Sequence, residues 1–175
     1  MGNLLVAYYS WSNGNTKKIA EKLADALNAD KIVRIETVTP YSGSYDDVVK
    51  QGKSEVENGF IPEIKLLDTD NSETELDLAQ YDTIAIGTPT WWYTCAPAVA
   101  GFLKKFNWNG KTIIPFQTHG GWMGSVFSDI RNFCNGAEMC LPKSIQFDSS
   151  GGDKQLTADL DVDLWIKEIS QLLNK

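Results

Sequence analysis

Residues 10–16, with the sequence SWSNGNT, surround a glycine with hydroxyl and amide side chains, and a helical pattern begins at Thr16. Free backbone N–H groups at a helix start, with the positive end of the helix dipole, form an anion site. Gly14 could let the backbone approach such an anion closely. The segment predicts a phosphate site, although the same residue types suit an ordinary helix N-cap equally well. It is neither a P-loop nor a GxGxxG motif.

Residues 88–94, with the sequence TPTWWYT, place three adjacent aromatic residues between a predicted strand and a predicted helix. Consecutive side chains cannot all face one core, so at least one of Trp91, Trp92 and Tyr93 should be exposed or should cover a flat object. A surface-packed tryptophan pair or a dimer contact would also account for them. The place of the segment, directly after a strand, favours a planar ligand.

Residues 117–124, with the sequence QTHGGWMG, form a third segment of this kind. Gly120 and Gly121 permit close approach of the backbone, so peptide N–H groups could bond the edge of a ligand. His119 is the only histidine of the chain and could donate a hydrogen bond or a proton. A polar histidine satisfied by its own loop is an equally good interpretation.

Strand and helix patterns alternate along the rest of the chain. We predict strands over residues 3–9, 31–36, 82–87, 111–117 and 143–147, and helices from residue 16 to 27 and over 97–106, 125–135 and 158–173. In the last helix we expect Leu160, Leu164, Ile169 and Leu172 to face inward. Residues 37–72 are polar and punctuated by Pro and Gly, which indicates a surface excursion with an exposed helix over 46–58.

This alternation predicts an α/β fold, a three-layer sandwich whose parallel sheet is covered by helices on both faces. The three segments follow the first, third and fourth strands. In open parallel sheets, ligands bind beyond the carboxyl ends of the strands, at the switch point of strand order. We therefore expect the three segments to meet at one site, in a single domain over residues 1–175.

The composition restricts the function classes. The chain has 175 residues and a net charge of −7, which disfavours nucleic acid and suits a partner with a basic surface. Its three cysteines form no CxxC pattern, so we expect neither a disulfide framework nor a zinc site, and the compartment is predicted to be the reducing cytoplasm. No apolar stretch approaches the roughly 18 residues of a membrane helix, and we expect a monomer or a weak dimer.

The three segments resemble the cofactor loops of flavodoxins. SWSNGNT is similar to the phosphate loop of that family, and Pro89–Trp92 and Thr118–Gly121 look like the second and third flavin loops of a bacterial short-chain branch. The resemblance covers nearly the whole chain and implies strand order 2-1-3-4-5 with FMN at the switch point. Two departures stand out: Asn13 stands where the family often has threonine, or else is a one-residue insertion, and the ring loop lacks the acidic residues usual beside the flavin.

The resemblance also implies a role for each loop. The phosphate would be held by Ser10, Ser12, Asn13, Gly14, Asn15 and Thr16; the ring would be lined by Pro89, Thr90, Trp91, Trp92 and Tyr93; its other side would be bordered by Thr118, His119, Gly120 and Gly121. The implied function is electron transfer between redox partner proteins. An FMN-dependent reductase of quinones or other small acceptors, using NAD(P)H, is the alternative, and a module that has lost its flavin is a third interpretation.

Overall fold

The computed structural model of the protein describes residues 3–148 and 152–174. The described strands are β1 (Leu4–Tyr8), β2 (Lys31–Thr37), β3 (Ile64–Leu67), β4 (Thr83–Trp91), β5 (Thr94–Cys95), β6 (Thr112–His119), β7 (Glu138–Met139) and β8 (Lys143–Gln146). The described helices are α1 (Asn15–Leu27), α2 (Tyr45–Glu57), α3 (Pro97–Lys105), α4 (Val126–Phe133) and α5 (Asp159–Leu173), and a 3-10 turn spans Leu78–Gln80.

The sheet has the predicted parallel order. Strands β2, β1, β4 and β6 pair in parallel, and the fifth position is shared by β7 and β8, which both pair with β6. Counted along the five predicted strands this is 2-1-3-4-5, so the predicted α/β class and strand order are confirmed. Three strands are additional: β3 joins β2 and β5 joins β4, both antiparallel, and the two-residue β7 joins β6 in parallel.

The central strands are buried on both faces because an apolar layer covers each face of the sheet. All five residues of β1 are buried: Leu5 and Ala7 point to one core, and Val6 and Tyr8 to the other. Helices α3 and α4 cover the first core, and α1 and α5 cover the second. A continuous apolar strand of this kind is what a doubly covered parallel sheet requires.

The excursion between β2 and β4 is more structured than predicted. The expected helix over residues 46–58 is present as α2, but it is not simply exposed, since Val48, Gly52 and Glu55 are buried. The strand β3 was not predicted at all. It is four residues long, and so short a segment carries too little alternation to be recognised.

Helix α5 corrects the prediction of which residues face the core. Leu160 and Leu164 are 65% and 49% exposed, so their predicted inward orientation is wrong, whereas Ile169 is buried as expected. The core-facing stripe is Val162, Trp165, Ile166 and Ile169, which has the same helical spacing but lies on the adjacent face. Among residues 3–148 and 152–174, no helix, including α5, has the length and apolar character needed to cross a membrane.

Candidate functional site

A cleft of about 340 Å³ lies at the carboxyl ends of β1, β4 and β6, where the three predicted segments meet. Of the fifteen predicted site residues, twelve line it: Ser12, Asn13, Asn15, Thr16, Pro89, Thr90, Trp91, Trp92, Tyr93, Thr118, His119 and Gly120. Ser10, Gly14 and Gly121 do not line it. The cleft lies at the switch point, because the chain continues from β1 to β2 on one side and reaches β4 on the other.

The loop over residues 10–16 places a glycine at the start of helix α1. Gly14 is the N-cap residue, with φ of 73°, and among the described residues this position provides no side-chain cap bond. Ser12 also has a positive φ, of 69°. The hydroxyl N-cap that the residue types allowed is therefore not formed. The first N–H groups of α1 need other partners, and an anion is the usual one.

Two polar contacts and one buried hydroxyl describe the side chains of this loop. Thr16 Oγ1 and Thr118 Oγ1 are 2.8 Å apart in a buried contact that joins the first and third loops. Asn15 Nδ2 donates to the carbonyl oxygen of Gly152 at 2.7 Å. Ser10 Oγ is buried and has no hydrogen-bond partner among the described residues. A buried hydroxyl without a partner is unfavourable, so a ligand oxygen would complete it.

Residues 88–95, expected to form a loop, are instead mostly strand. Strand β4 runs on to Trp91, and β5 returns antiparallel from Thr94, so Trp92 and Tyr93 alone make the turn. Their φ values are 49° and 69°. Such two-residue turns favour Asn-Gly, and bulky side chains at positive φ cost about 1–3 kcal/mol each. Sequence reasoning gave a loop here because the tight turn lacks the glycine that normally marks one.

The rings of this hairpin face different surroundings. Trp91 packs edge-on against Tyr9 and Tyr41, with ring centroids 5.8 and 5.0 Å away. Trp92 is 39% exposed, and its Nε1 donates to the carbonyl oxygen of Val49 at 2.9 Å. Tyr93 is 57% exposed. As predicted, the three rings do not share one core, and they form an aromatic wall along the cleft.

His119 has a defined hydrogen-bonding state. Its Nδ1 accepts from the backbone N–H of Gly121 at 3.0 Å, so the neutral ring carries its proton on Nε2. Burial lowers the pKa of His119 below its ordinary value, which favours this neutral form. One nitrogen of His119 is therefore satisfied by its own loop, because Nδ1 accepts the bond from Gly121. The other nitrogen, Nε2, carries a proton that it can donate.

Sequence reasoning missed a second wall of the cleft. Helix α2, from the excursion, contributes Tyr45, Val48, Val49 and Gly52. A Cβ at Gly52 would lie 2.9 Å from the ring of Trp91, so only glycine lets α2 lie so close to the hairpin. A lone glycine inside a predicted helix was the available signal. Other lining residues that were missed are Trp11, Trp122, Phe147, Asp148 and Gly152.

The cysteines of the site region are inert by their surroundings. Cys95, at the end of β5, and Cys134, after α4, are both buried, and burial raises the pKa of their thiols to about 11 and about 12. Burial also raises the pKa of Cys140, which is half-buried. All three thiols are free. A buried, protonated thiol is a poor nucleophile, so Cys95 is a structural neighbour of the hairpin.

Fold and cleft define a doubly wound α/β protein with a cleft at the switch point of the sheet, where proteins of this class bind ligands. The sequence profile of the family described as Flavodoxin matches residues 3–161. The chain therefore belongs to the flavodoxin family, which confirms the resemblance seen in its loops. No curated protein matches the chain.

Solved structures agree with this assignment. A candidate flavoprotein from Bacteroides uniformis has a TM-score of 0.74 and 25% identity, covering 95% of this chain and 98% of that one. A flavoprotein from Lactobacillus acidophilus, crystallised in complex with FMN, has a TM-score of 0.68 and 22% identity, covering 94% and 99%. A flavodoxin from the domain Archaea has a TM-score of 0.57 and 16% identity, covering 98% and 99%. At these identities the similarity establishes the fold.

Proposed function

We propose that this protein binds FMN in the cleft and transfers electrons between partner proteins. FMN is the cofactor of the flavodoxin family, to which the chain belongs. The observation that supports the proposal is the meeting of two unlike surfaces in one cleft. An uncapped helix start lies at one end, and a wall of aromatic rings lies along the other.

The phosphate of FMN would be held by the loop over residues 10–16. The first N–H groups of α1 supply donors and the helix dipole supplies positive potential. Ser12, Asn15 and Thr16 line the cleft with hydroxyl and amide groups, and Ser10 Oγ, which has no partner among the described residues, would be a further donor from the same loop. Bonds to an anion are stronger than bonds between neutral groups, so this loop would supply most of the affinity.

The isoalloxazine ring would lie along the aromatic wall of the hairpin. When bound, FMN supplies one-electron and two-electron redox chemistry. The protein's part is to bind the flat ring between apolar surfaces and to exclude water from it. Trp91 and Trp92 are held by contacts within the protein, with the ring of Tyr41 and with the carbonyl oxygen of Val49 respectively. A preorganised wall loses little conformational entropy when it binds.

His119 would hold a proton at one ring edge. Because Nδ1 already accepts from Gly121, only Nε2–H is free to donate to a carbonyl oxygen of the ring system. The lowered pKa keeps this histidine neutral at pH 7, so it would donate without adding a charge. A neutral donor stabilises the reduced ring less than a cation would.

The net charge of −7 supports docking to redox partners with basic surfaces, steered by charge. The alternative, an FMN-dependent reductase of small acceptors, is supported by a different observation. Tyr93 and Trp122, which line the cleft, are 57% and 66% exposed, and exposed aromatic side chains there could receive a planar acceptor.

A redox titration separates the two functions. The purified protein is loaded with FMN, and its visible spectrum is followed during reduction with dithionite at measured potentials. A carrier is expected to take up its two electrons at two separated potentials, because it must exchange them singly. A reductase is expected to take up both in one step and to be reduced rapidly by NADH or NADPH.

The controls follow from the same preparation. Free FMN, measured in the same buffer, gives the reference separation of the two potentials. Rapid reduction by a nicotinamide with turnover of quinones would overturn the carrier proposal in favour of the reductase. A protein that stays colourless and does not bind added FMN would rule out both functions and support the module that has lost its flavin.

A further inference from the structure

Asp129 lies on helix α4, outside all three cofactor loops, and yet it contacts the hairpin. Its Oδ2 accepts from Thr94 Oγ1 at 2.7 Å and from Ser125 Oγ at 2.6 Å. Thr94 is the first residue of β5, directly after the Trp92–Tyr93 turn. One carboxylate oxygen therefore ties the returning strand of the hairpin to the start of α4.

Ser125 completes the connection through its backbone. Its N–H donates to the carbonyl oxygen of Tyr93 at 2.7 Å. Its hydroxyl also lies 3.2 Å from that carbonyl, but the single hydroxyl proton goes to the closer carboxylate of Asp129. Ser125 is the N-cap residue of α4 and makes no side-chain cap bond. The hydroxyl that would normally cap the helix is used to hold Asp129 instead.

The turn needs such a restraint because its backbone is unfavourable. Trp92 and Tyr93 both have positive φ, which bulky residues avoid. Gly124, at φ of 58°, lies against the backbone of Tyr93 so closely that a Cβ there would overlap it. The turn is thus pressed against the start of α4, and the bonds through Ser125 and Asp129 are its polar connections on that side.

We propose that Asp129 is a positioning residue that holds the Trp92–Tyr93 turn, and with it the aromatic wall, in the geometry that accepts the flavin ring. The effect on FMN rests on the function proposed above. The effect on the turn does not, since every bond in the connection is present in the protein alone. Asp129 does not line the cleft and touches no proposed cofactor position.

Two substitutions separate the hydrogen bonds of Asp129 from its charge. Asp129→Ala removes the acceptor for both hydroxyls. Asp129→Asn keeps one neutral oxygen, which can accept both bonds because both end at the same atom in the parent. We expect Asp129→Ala to weaken FMN binding about tenfold and to change the visible circular dichroism of the bound flavin. Asp129→Asn should recover most of both signals.

The apoprotein gives a second readout that needs no cofactor. In Asp129→Ala, the amide hydrogen of Ser125 should exchange with solvent about tenfold faster, since the turn that accepts its bond is less restrained. Glu168→Ala is the matched control: it removes an exposed carboxylate from helix α5 and should leave both signals unchanged. If Asp129→Ala does not fold, Thr94→Val removes one of the two bonds and is measured instead.

The outcomes are distinguishable from failure of the proposed function. If the parent protein does not bind FMN, the proposed function is wrong, and the Ser125 exchange rate alone decides the role of Asp129. Parent-like exchange and parent-like flavin dichroism in Asp129→Ala would overturn the inference. Equal losses in the Asn and Ala variants would also overturn it, because the charge would then matter and the hydrogen bonds would not.

Discussion

The two ends of the cleft are built in opposite ways. The loop over residues 10–16 has an uncapped helix start and a buried hydroxyl without a partner among the described residues. The hairpin over residues 88–95 has an unfavourable turn whose polar groups are bonded to α2 and α4. The first end has donors without partners among the described residues, whereas the polar groups of the second are bonded within the protein.

This difference assigns separate tasks to the two ends. Donors left open gain a full hydrogen bond when an anion arrives, so they should control affinity. A wall that is already fixed gains few new bonds, and it should control the surroundings of the ring, and hence its redox potential. Substitutions at the two ends should therefore be separable by measuring affinity, stability and potential on the same variants.

The largest expected effect is the preference for FMN over riboflavin, which lacks the phosphate. Two or more bonds from the first loop to the phosphate, at about 1.5–3 kcal/mol each, predict a preference of at least roughly 100-fold. Fluorescence titration of the apoprotein with each flavin measures it. Equal affinities for FMN and riboflavin would mean that the aromatic wall, and not the loop, controls binding. That result would contradict the separate roles of the two ends.

A matched pair of glycine substitutions compares the two ends directly. Gly14 and Gly124 both have positive φ, but a Cβ at Gly14 meets nothing, whereas one at Gly124 overlaps Tyr93. Gly14→Ala should therefore lower the free energy of unfolding by about 1 kcal/mol, from backbone conformation alone. Gly124→Ala should add about 1–3 kcal/mol for the overlap. Urea unfolding of the two apoproteins tests the order, and equal losses would contradict it.

Ser10→Ala should weaken FMN binding without lowering the stability of the protein. Removal of a buried hydroxyl without a partner should leave the free energy of unfolding unchanged, or raise it by up to about 1 kcal/mol. Loss of a phosphate donor should weaken FMN binding about tenfold. Thr37→Val is the control, because Thr37 Oγ1 is also buried without a partner among the described residues, but Thr37 lies at the end of β2 and not in the loop over residues 10–16. It should affect stability in the same way and leave affinity unchanged.

The smallest expected effect is the pH dependence due to His119. Burial lowers its pKa in the folded protein, while the unfolded chain binds the proton near the ordinary value of 6.5. Between those two values the unfolded state holds more protons, so the free energy of unfolding falls as the pH drops below about 6.5. His119→Gln should remove this part of the slope. Parallel stability curves for the two proteins between pH 7 and pH 5 would contradict the expectation.

The elements that carry the three loops could be predicted because their signals are local. Apolar strands such as β1 and β4 are continuous, and an amphipathic pattern marks α1. The order of the strands was supplied by the family resemblance and is confirmed by the pairing. The loops themselves were recognisable because they concentrate glycine, hydroxyl and aromatic residues directly after strands.

The contribution of α2 and the hairpin geometry could not be predicted, because both depend on tertiary contacts. Nothing in the sequence near Trp92 indicates that its indole bonds to Val49 in the preceding excursion. The same limit applies to α5, where two apolar stripes have helical spacing. The contact of Trp165 with Phe116 belongs to the stripe that is buried, and Leu160 and Leu164 remain exposed.

The buried thiols have a practical consequence for counting electrons. Since all three cysteines are free thiols, which are already reduced and accept no electrons, protein sulfur should not compete with the cofactor for reductant. Coulometric reduction of the FMN-loaded chain should then end at two electrons per flavin. The charge passed would report cofactor occupancy directly, with no correction for protein sulfur.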